Sequence, residues 1–216
     1  IDWVIVRENT EGEYSGAGGR VHTGLPIEVA METSVFTRVG VERVMRFAFR
    51  LAQSRPRKHL TVITKSNAQR HGMVMWDQIA REVAVEFPDV AVRKLLVDAA
   101  TTVMVQDPRS LDTIVATNLH ADVLSDLAGA LAGSLGIAPT ANLNPERVFP
   151  SMFEPIHGSA FDITGKGVAN PIATFWTVAM MLEHLGEKPA ADAIMAAIER
   201  VCREGRHLPR DIGGAA

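Results

Sequence analysis

The sequence predicts an α/β fold, built from buried parallel strands that alternate with amphipathic helices. Three short apolar runs rich in β-branched residues are typical of strands covered on both faces: WVIV (3–6), LTVIT (60–64) and TIVAT (113–117). Between them, apolar residues recur at helical spacing in two stretches, 41–52 and 76–83. In sheets of this kind ligands bind beyond the carboxyl ends of the strands, so the residues that follow each run are the first candidates for chemistry.

Capping residues indicate where the helices begin and end. Thr37 precedes the first helical stretch as a candidate N-cap. The segment 170–186 predicts a complete helix, with Asn170 as its cap, Pro171 as its first residue and Gly186 as its C-terminal stop.

Two segments interrupt the alternation of strands and helices. SGAGGRVHTGLP (15–26) predicts a glycine-rich loop, and IEVAMETSVF (27–36) alternates like a half-exposed strand that belongs to a projecting arm. GIAPTANLNPERVFPSMFEP (136–155) predicts an irregular connection between two domains.

Length and composition exclude several classes of protein. With 216 residues and 47% hydrophobic content, the chain can bury a core as one large domain or two small ones. A net charge of −3 offers no basic excess for nucleic acid, and no apolar run is long enough to span a membrane. The single cysteine, Cys202, excludes an internal disulfide and favours a reducing, cytoplasmic compartment; its helical surroundings predict a packing role. Because the sequence begins inside an apolar strand pattern, we expect it to be part of a longer protein.

Polar and charged side chains follow each of the three predicted strands. They are Arg7, Glu8 and Asn9 after the first, Lys65, Ser66 and Asn67 after the second, and Asn118, Asp122 and Asp126 after the third. Asp122 and Asp126 share one helix face, where two carboxylates repel each other unless a partner lies between them. An exposed acidic face and a bound cation are the two interpretations of this pair, and the convergence of three strand ends favours the cation.

A hard divalent cation such as Mg²⁺ or Mn²⁺ prefers carboxylate oxygens and keeps coordination positions open for substrate oxygens. Asp122 and Asp126 would supply two ligands. Asp98, at the end of the apolar run LLV, is the candidate for a third.

Three further residues have a functional and a structural interpretation. The planar guanidinium of Arg7 suits a substrate carboxylate, and an ion pair with Glu8 or Glu11 is an equal alternative. Lys65 beside a divalent cation can act as a base, and the alternative is a surface lysine at a strand end. Tyr14 can donate a proton near such a site, and a structural hydrogen bond explains it equally well.

The segment FEPIHGSAFDITGKGVANP (153–171) predicts a ligand-binding loop. Its glycines, at positions 158, 165 and 167, let the backbone approach a ligand closely, although the GxGxxG dinucleotide fingerprint is absent and no clear strand precedes it. Asp162 can accept hydrogen bonds from a ribose diol and would repel a 2′-phosphate. His157 can stack on or bond to an adenine, or it is a solvated or capping loop residue.

Together these motifs resemble the metal-dependent β-decarboxylating dehydrogenases of isocitrate and isopropylmalate. RENTEGEYSG, TKSN, NLHADVLSD, GIAPTANLN and FEPIHGSAFDITGKGVANP stand in the order and approximate spacing of that family, so the resemblance covers essentially the whole chain. GGRVHTG, VFTRVGVERV, AFRLAQSRPRK and NLNPERVFPSMFEP are most similar to the branch that acts on tartrate and D-malate.

The resemblance implies an isopropylmalate-dehydrogenase-like two-domain fold, incomplete in this sequence. Residues 1–132 would form the central dimerisation and metal/substrate domain, and residues 133–216 the C-terminal part of a split nucleotide-binding domain. Residues 15–36 would form a β arm between subunits. The upstream part of the family's chain, with two substrate arginines, is not in this sequence.

The activity that the resemblance implies is an NAD-dependent oxidation of a 2-hydroxy acid, D-malate or tartrate, with decarboxylation. The expected cofactors are NAD and Mg²⁺ or Mn²⁺, with K⁺ as an activator, in a cytoplasmic homodimer with shared active sites. Isopropylmalate or isocitrate as the substrate is the first alternative. A non-catalytic regulatory or nucleotide-binding subunit is the second.

The resemblance also implies a role for each motif residue. Asp122 and Asp126 would hold the metal together with Asp98 of the partner subunit, which would also contact the substrate. Lys65 of the partner subunit would help remove the hydroxyl proton, and Tyr14 would protonate the decarboxylated product. Arg7 would hold a substrate carboxylate, with Asn67 near substrate and nicotinamide. The NAD-binding residues would be His157, Gly158, Ser159, Ala160, Asp162, Gly165 and Asn170.

Two positions depart from the family pattern. Phe161 replaces the proline expected before Asp162, which leaves the aspartate in place but changes the adenine loop. His120 and Ala121 replace the usual Phe-Gly before Asp122, which puts the start of that helix in question rather than metal binding.

Overall fold

A four-stranded sheet lies at the centre of the N-terminal part of the chain in the computed structural model, which describes residues 1–216. The elements of this part are β1 (Val4–Arg7), β2 (Gly12–Val21), β3 (Val29–Val35), α1 (Arg38–Ser54), β4 (His59–Thr64), α2 (Gly72–Ala84), β5 (Ala91–Leu96), α3 (Val97–Gln106), β6 (Thr113–Ala116) and α4 (Asn118–Ala132). The sheet has the order β1-β6-β4-β5, and all of its pairs are parallel. The predicted α/β class and the three predicted strands are confirmed, and β5 adds a fourth strand.

Helices α1 and α2 pack against the sheet and against each other. Thr37 caps α1 as predicted, because its hydroxyl accepts a hydrogen bond from the Gly40 amide at 3.1 Å. The apolar stripes of both helices are buried, with Phe49 and Trp76 among the largest fully enclosed side chains. The Trp76 ring meets Phe36 edge-on at 6.4 Å.

Strands β2 and β3 form an antiparallel hairpin that pairs with no strand of the central sheet. The predicted loop over residues 15–26 is therefore wrong for 15–21, which belong to β2. Pairing overrides the low strand propensity of glycine here, and a Cβ at Gly18 would lie 2.2 Å from the Met31 carbonyl oxygen. Strand β3, which was predicted to be half exposed, is exposed along almost its whole length.

The C-terminal part of the chain contains β7 (Pro139–Asn142), β8 (Met152–Pro155), α5 (Ile172–Leu185) and α6 (Lys188–Glu204). Strands β7 and β8 pair antiparallel, which corrects the prediction of an irregular segment over 136–155. Helix α5 begins at Ile172, one residue later than predicted, and Pro171 rather than Asn170 lies in the N-cap position. Asn170 still accepts a hydrogen bond from the Ile172 amide at 2.9 Å, and Gly186 ends the helix with a φ of 90° as predicted. Cys202 lies in α6 but is exposed, so the predicted packing role is wrong.

Contacts between residues divide the chain into two units, Ile1–Leu127 and Ala128–Ala216. The division falls inside α4, a few residues before the predicted domain boundary at 132/133. The dimerisation and nucleotide-binding roles assigned to the two domains stay predictions. None of the helices combines the length and the apolar character needed to cross a membrane.

Candidate functional site

Arg7, the last residue of β1, forms an ion pair with Asp122 in α4. Its Nε atom also donates a hydrogen bond to Asn118 Oδ1 at 2.9 Å, so one guanidinium contacts two side chains of the same helix. Strands β1 and β6 are neighbours in the sheet. A residue at the end of β1 therefore reaches the helix that follows β6, although 111 and 115 positions separate Arg7 from these two partners.

The predicted alternative of an ion pair between Arg7 and Glu8 or Glu11 is wrong. Glu8 is only 3% exposed, and its carboxylate accepts hydrogen bonds from the Thr10 and Glu11 amides at 3.1 and 2.8 Å. Glu11 accepts a hydrogen bond from the Thr37 amide at 2.8 Å. Glu8 thus holds the turn after β1 and Glu11 binds the residue that caps α1, while Arg7 pairs with Asp122.

Tyr14 lies against the same pair of charges. Its hydroxyl donates a hydrogen bond to Asp122 Oδ2 at 3.1 Å, and the guanidinium carbon of Arg7 lies 5.5 Å from the centre of its ring. The hydrogen bond to the Asp122 carboxylate raises the pKa of Tyr14, with burial and the charge of Asp122 acting in the same direction. The phenol therefore keeps its proton at neutral pH, as a proton donor must.

We expect Tyr14 to titrate above the usual tyrosine pKa of about 10 in metal-free protein. Asp122→Asn should lower this pKa, since the negative charge that opposes ionisation is removed while a hydrogen-bond acceptor remains. The measurement is the tyrosinate absorbance of each protein as pH rises, minus that of its Tyr14→Phe counterpart. A pKa at or below 10 in the wild type would contradict the hydrogen bond to Asp122.

Lys65, directly after β4, pairs with Asp98 near the start of α3. The distance from Nζ to Oδ1 is 2.5 Å, and this hydrogen bond is the largest cause of a lowered pKa for Asp98. Asn67 lies in the same turn, is exposed and makes no hydrogen bond within the chain. These three predicted residues thus lie together beyond β4 and β5, and no ion pair or hydrogen bond joins them to Asp122.

Two residues that the sequence did not single out support the turn after β4. The buried carboxylate of Asp77 accepts a hydrogen bond from Thr64 Oγ1 at 3.0 Å and pairs with Lys94. Lys94 Nζ in turn donates to Ser66 Oγ at 2.8 Å. The sequence signal for this support was Asp77, a carboxylate beside Trp76 within the apolar stripe of a helix.

The carboxylates of α4 suit a hard divalent cation as oxygen ligands. Asp122 is 45% exposed at its side chain, and Asp126 is exposed and has no hydrogen-bond or ion-pair partner. Within residues 1–216, no three His, Cys, Asp or Glu side chains are grouped so that they could hold a metal ion. Asp98 pairs with Lys65 instead of joining the α4 pair, and its contribution from a partner subunit stays a prediction.

Helix α4 begins regularly despite the unusual His120 and Ala121. The Ala121 amide donates to the Thr117 carbonyl at 2.8 Å, and the small Ala121 side chain is fully buried. The Nδ1 atom of His120 is buried without a hydrogen-bond partner. Burial lowers the pKa of His120, which favours the neutral ring at this position.

The predicted nucleotide loop connects β8 to α5, so a strand does precede it, contrary to the sequence prediction. Residues 157–162 are all exposed, and they include the predicted His157, Gly158, Ser159, Ala160 and Asp162. Space is open around a Cβ at each of the loop glycines, 158, 165 and 167. The Asp162 carboxylate has no partner within the chain. A small-residue surface with a free carboxylate fits the adenosine half of a dinucleotide.

Known proteins are similar to this chain along its whole length. The sequence profile described as isocitrate/isopropylmalate dehydrogenase matches residues 1–216. A probable tartrate dehydrogenase/decarboxylase of Agrobacterium vitis is 74% identical over all 216 residues, which span 60% of that protein. The D-malate dehydrogenase (decarboxylating) of Escherichia coli is 52% identical over the whole chain and 61% of its own length.

A solved structure leads to the same family. The isocitrate dehydrogenase of Methylococcus capsulatus superposes with a TM-score of 0.93 at 41% identity, covering 98% of this chain and 61% of that one. The chain therefore spans about 60% of the length of the relatives it matches. The resemblance found in the sequence is confirmed: the chain belongs to the isocitrate/isopropylmalate dehydrogenase family.

Proposed function

We propose that the protein containing this chain is an NAD-dependent dehydrogenase that oxidises and decarboxylates D-malate or tartrate with Mg²⁺ or Mn²⁺. The observation that carries the proposal is the group formed by Arg7, Asn118, Asp122 and Tyr14 at the carboxyl ends of β1 and β6. The choice of substrate is supported by relatives named for tartrate at 74% identity and for D-malate at 52% identity.

The group of four side chains would bind the substrate through charge and hydrogen bonds. When bound, the divalent cation supplies Lewis-acid polarisation of the substrate oxygens and NAD supplies the hydride acceptor. Arg7 would take a substrate carboxylate with its planar guanidinium, which is already oriented by Asn118 and 31% exposed. Asp122 and Asp126 would be the metal ligands, so binding of the cation would replace part of the pairing between Asp122 and Arg7.

Two side chains would transfer protons. Lys65 of the partner subunit would accept the proton of the 2-hydroxyl group in its neutral form, after Asp98, its ion-pair partner in this structure, turns to the metal. Tyr14 would donate its proton to the carbon that loses CO₂, and its pKa, raised by Asp122 in this structure, keeps the phenol protonated at neutral pH. Asn67, which has no partner within the chain, would face the substrate and the nicotinamide.

The loop from His157 to Asn170 would hold the adenosine half of NAD, with Asp162 accepting hydrogen bonds from the ribose diol. The hairpin of β2 and β3 would form the arm between two subunits, since it exposes apolar residues such as Leu25, Ile27 and Met31. We propose a cytoplasmic homodimer in which Lys65 and Asp98 complete the active site of the other subunit, and K⁺ acts as an activator.

The test is an assay of the complete protein for NADH formation. D-malate, tartrate, isopropylmalate and isocitrate are compared at equal concentration, each with Mn²⁺, with Mg²⁺ and with EDTA. We expect the largest kcat/KM with D-malate or tartrate and loss of activity in EDTA. Faster turnover of isocitrate or isopropylmalate would contradict the substrate assignment, and no activity with any of the four would contradict the dehydrogenase itself.

A further inference from the structure

The last residues of the chain fold into a tight turn that presents Asp211. The amides of Gly214 and Ala216 donate to the carbonyls of Pro209 and Leu208 at 3.0 and 3.1 Å. A Cβ at Gly214 would lie 1.7 Å from the Leu208 carbonyl oxygen, so only glycine allows the turn to close this tightly. The turn thereby fixes the backbone that carries Asp211.

Asp211 links two segments that are distant in sequence. Its Oδ2 atom accepts a hydrogen bond from Ser134 Oγ at 2.5 Å and another from Asn170 Nδ2 at 2.9 Å. Ser134 Oγ itself accepts from the Gly136 amide at 2.8 Å. A Cβ at Gly136 would lie 2.5 Å from Asp211 Oδ2 and 3.2 Å from Asn170 Nδ2, so the absence of a side chain there leaves room for both contacts.

Asn170 is the last residue of the predicted nucleotide loop and lies two residues before the start of α5. Its Oδ1 atom accepts from the Ile172 amide, while its Nδ2 atom donates to Asp211. Both ends of the amide are therefore used, which fixes its orientation. The loop itself is exposed and turns through local backbone bonds, such as that from the Ile163 amide to the Ala160 carbonyl at 3.0 Å.

Two hydrogen bonds favour the ionised form of Asp211. Burial raises the pKa of Asp211, but the hydrogen bonds from Asn170 and Ser134, helped by the charge of His157, outweigh it and hold the pKa below its usual value. The carboxylate is thus ionised at neutral pH. It contacts the end of the loop directly, through Asn170.

We propose that Asp211 is a positioning residue for NAD. Through Asn170, Asp211 holds the nucleotide loop in its binding conformation. The inference rests on the proposed function, because it takes the loop as the adenosine site. Without the carboxylate, Asn170 keeps its bond to α5 but loses the partner that ties it to the C-terminal turn. The exposed loop then samples more conformations, and NAD must order it on binding.

The test measures the equilibrium binding of NADH by the complete wild-type protein and by two variants. The fluorescence of the bound nicotinamide reports the binding. We expect Asp211→Ala to weaken NADH binding about fivefold, a modest effect because the network is partly exposed. Asp211→Asn should stay within about twofold of wild type, since its amide oxygen can accept the same two hydrogen bonds. Rescue by asparagine distinguishes positioning from repulsion or attraction of the cofactor by charge.

The matched control is Asp192→Ala, which removes an exposed carboxylate of α6 that pairs only with Lys188. It should leave the NADH affinity unchanged. Mn²⁺ binding and the melting temperature are measured for every variant, and a loop effect should change the NADH affinity without changing the Mn²⁺ affinity. If Asp211→Ala does not fold, Ser134→Ala tests the same network and should weaken NADH binding about threefold.

Two negative results have different meanings. Wild-type affinity for NADH in Asp211→Ala, or the same loss in Asp211→Asn as in Asp211→Ala, would overturn the positioning role. Absence of NADH binding by the wild-type protein would instead overturn the proposed function.

Discussion

Replacing Lys65 by methionine should lower the turnover number of the complete enzyme about a thousandfold, within the range for loss of a general base. Methionine keeps the apolar stem but removes the amine that would accept the substrate's hydroxyl proton. The Lys65 amine now lies 2.5 Å from Asp98, and it is the lysine at the carboxyl end of β4. Initial rates of NADH formation at saturating D-malate or tartrate give the turnover number, and NADH fluorescence gives the cofactor affinity.

The affinity for NADH should stay within about twofold of wild type in this variant, because Lys65 would contact neither the adenosine nor the pyrophosphate. Lys188→Met is the matched control, since Lys188 also pairs with an aspartate, Asp192, but lies on α6. Equal turnover in Lys65→Met and Lys188→Met would exclude Lys65 as the base.

Replacing Asp126 by asparagine should weaken Mn²⁺ binding at least about tenfold, since even residues outside the first coordination shell typically contribute 10- to 100-fold. The variant keeps the shape of the side chain and removes one anionic oxygen ligand. Asp126 has no hydrogen bond or ion pair to lose, so a general loss of stability is not expected. Free Mn²⁺ measured by electron paramagnetic resonance during a titration gives the dissociation constant.

The control for this variant is Asp89→Asn, because Asp89 is an exposed carboxylate of the same unit that binds Lys58 and Gln53. Its Mn²⁺ affinity should equal that of wild type. An unchanged dissociation constant in Asp126→Asn would mean that the carboxylate pair of α4 is only an exposed acidic face, the alternative that the sequence left open.

Local patterns predicted much of the fold and of the candidate site. Short β-branched runs identified β1, β4 and β6, because parallel strands buried on both faces must be apolar along their whole length. The cap Thr37 and the acceptor Asn170 beside the start of α5 were recognisable, since a helix start needs a side-chain acceptor within a few residues. The polar residues after each strand were also identified, because the end of a strand can be located from the local sequence pattern.

What the sequence by itself determined is therefore strands β1, β4 and β6, most of the helices but not α3, the family, and the residues that follow each strand. The tertiary structure alone decided which of these residues meet. The pairing of Arg7 with Asp122 and Asn118 depends on β1 and β6 being neighbours, and the bond between Asp211 and Asn170 depends on how the C-terminal turn folds back. The same holds for the hairpin of β2 and β3, where glycines that predicted a loop are instead paired in a strand. Such contacts join residues far apart in the chain, and local propensity carries no information about partners at that distance.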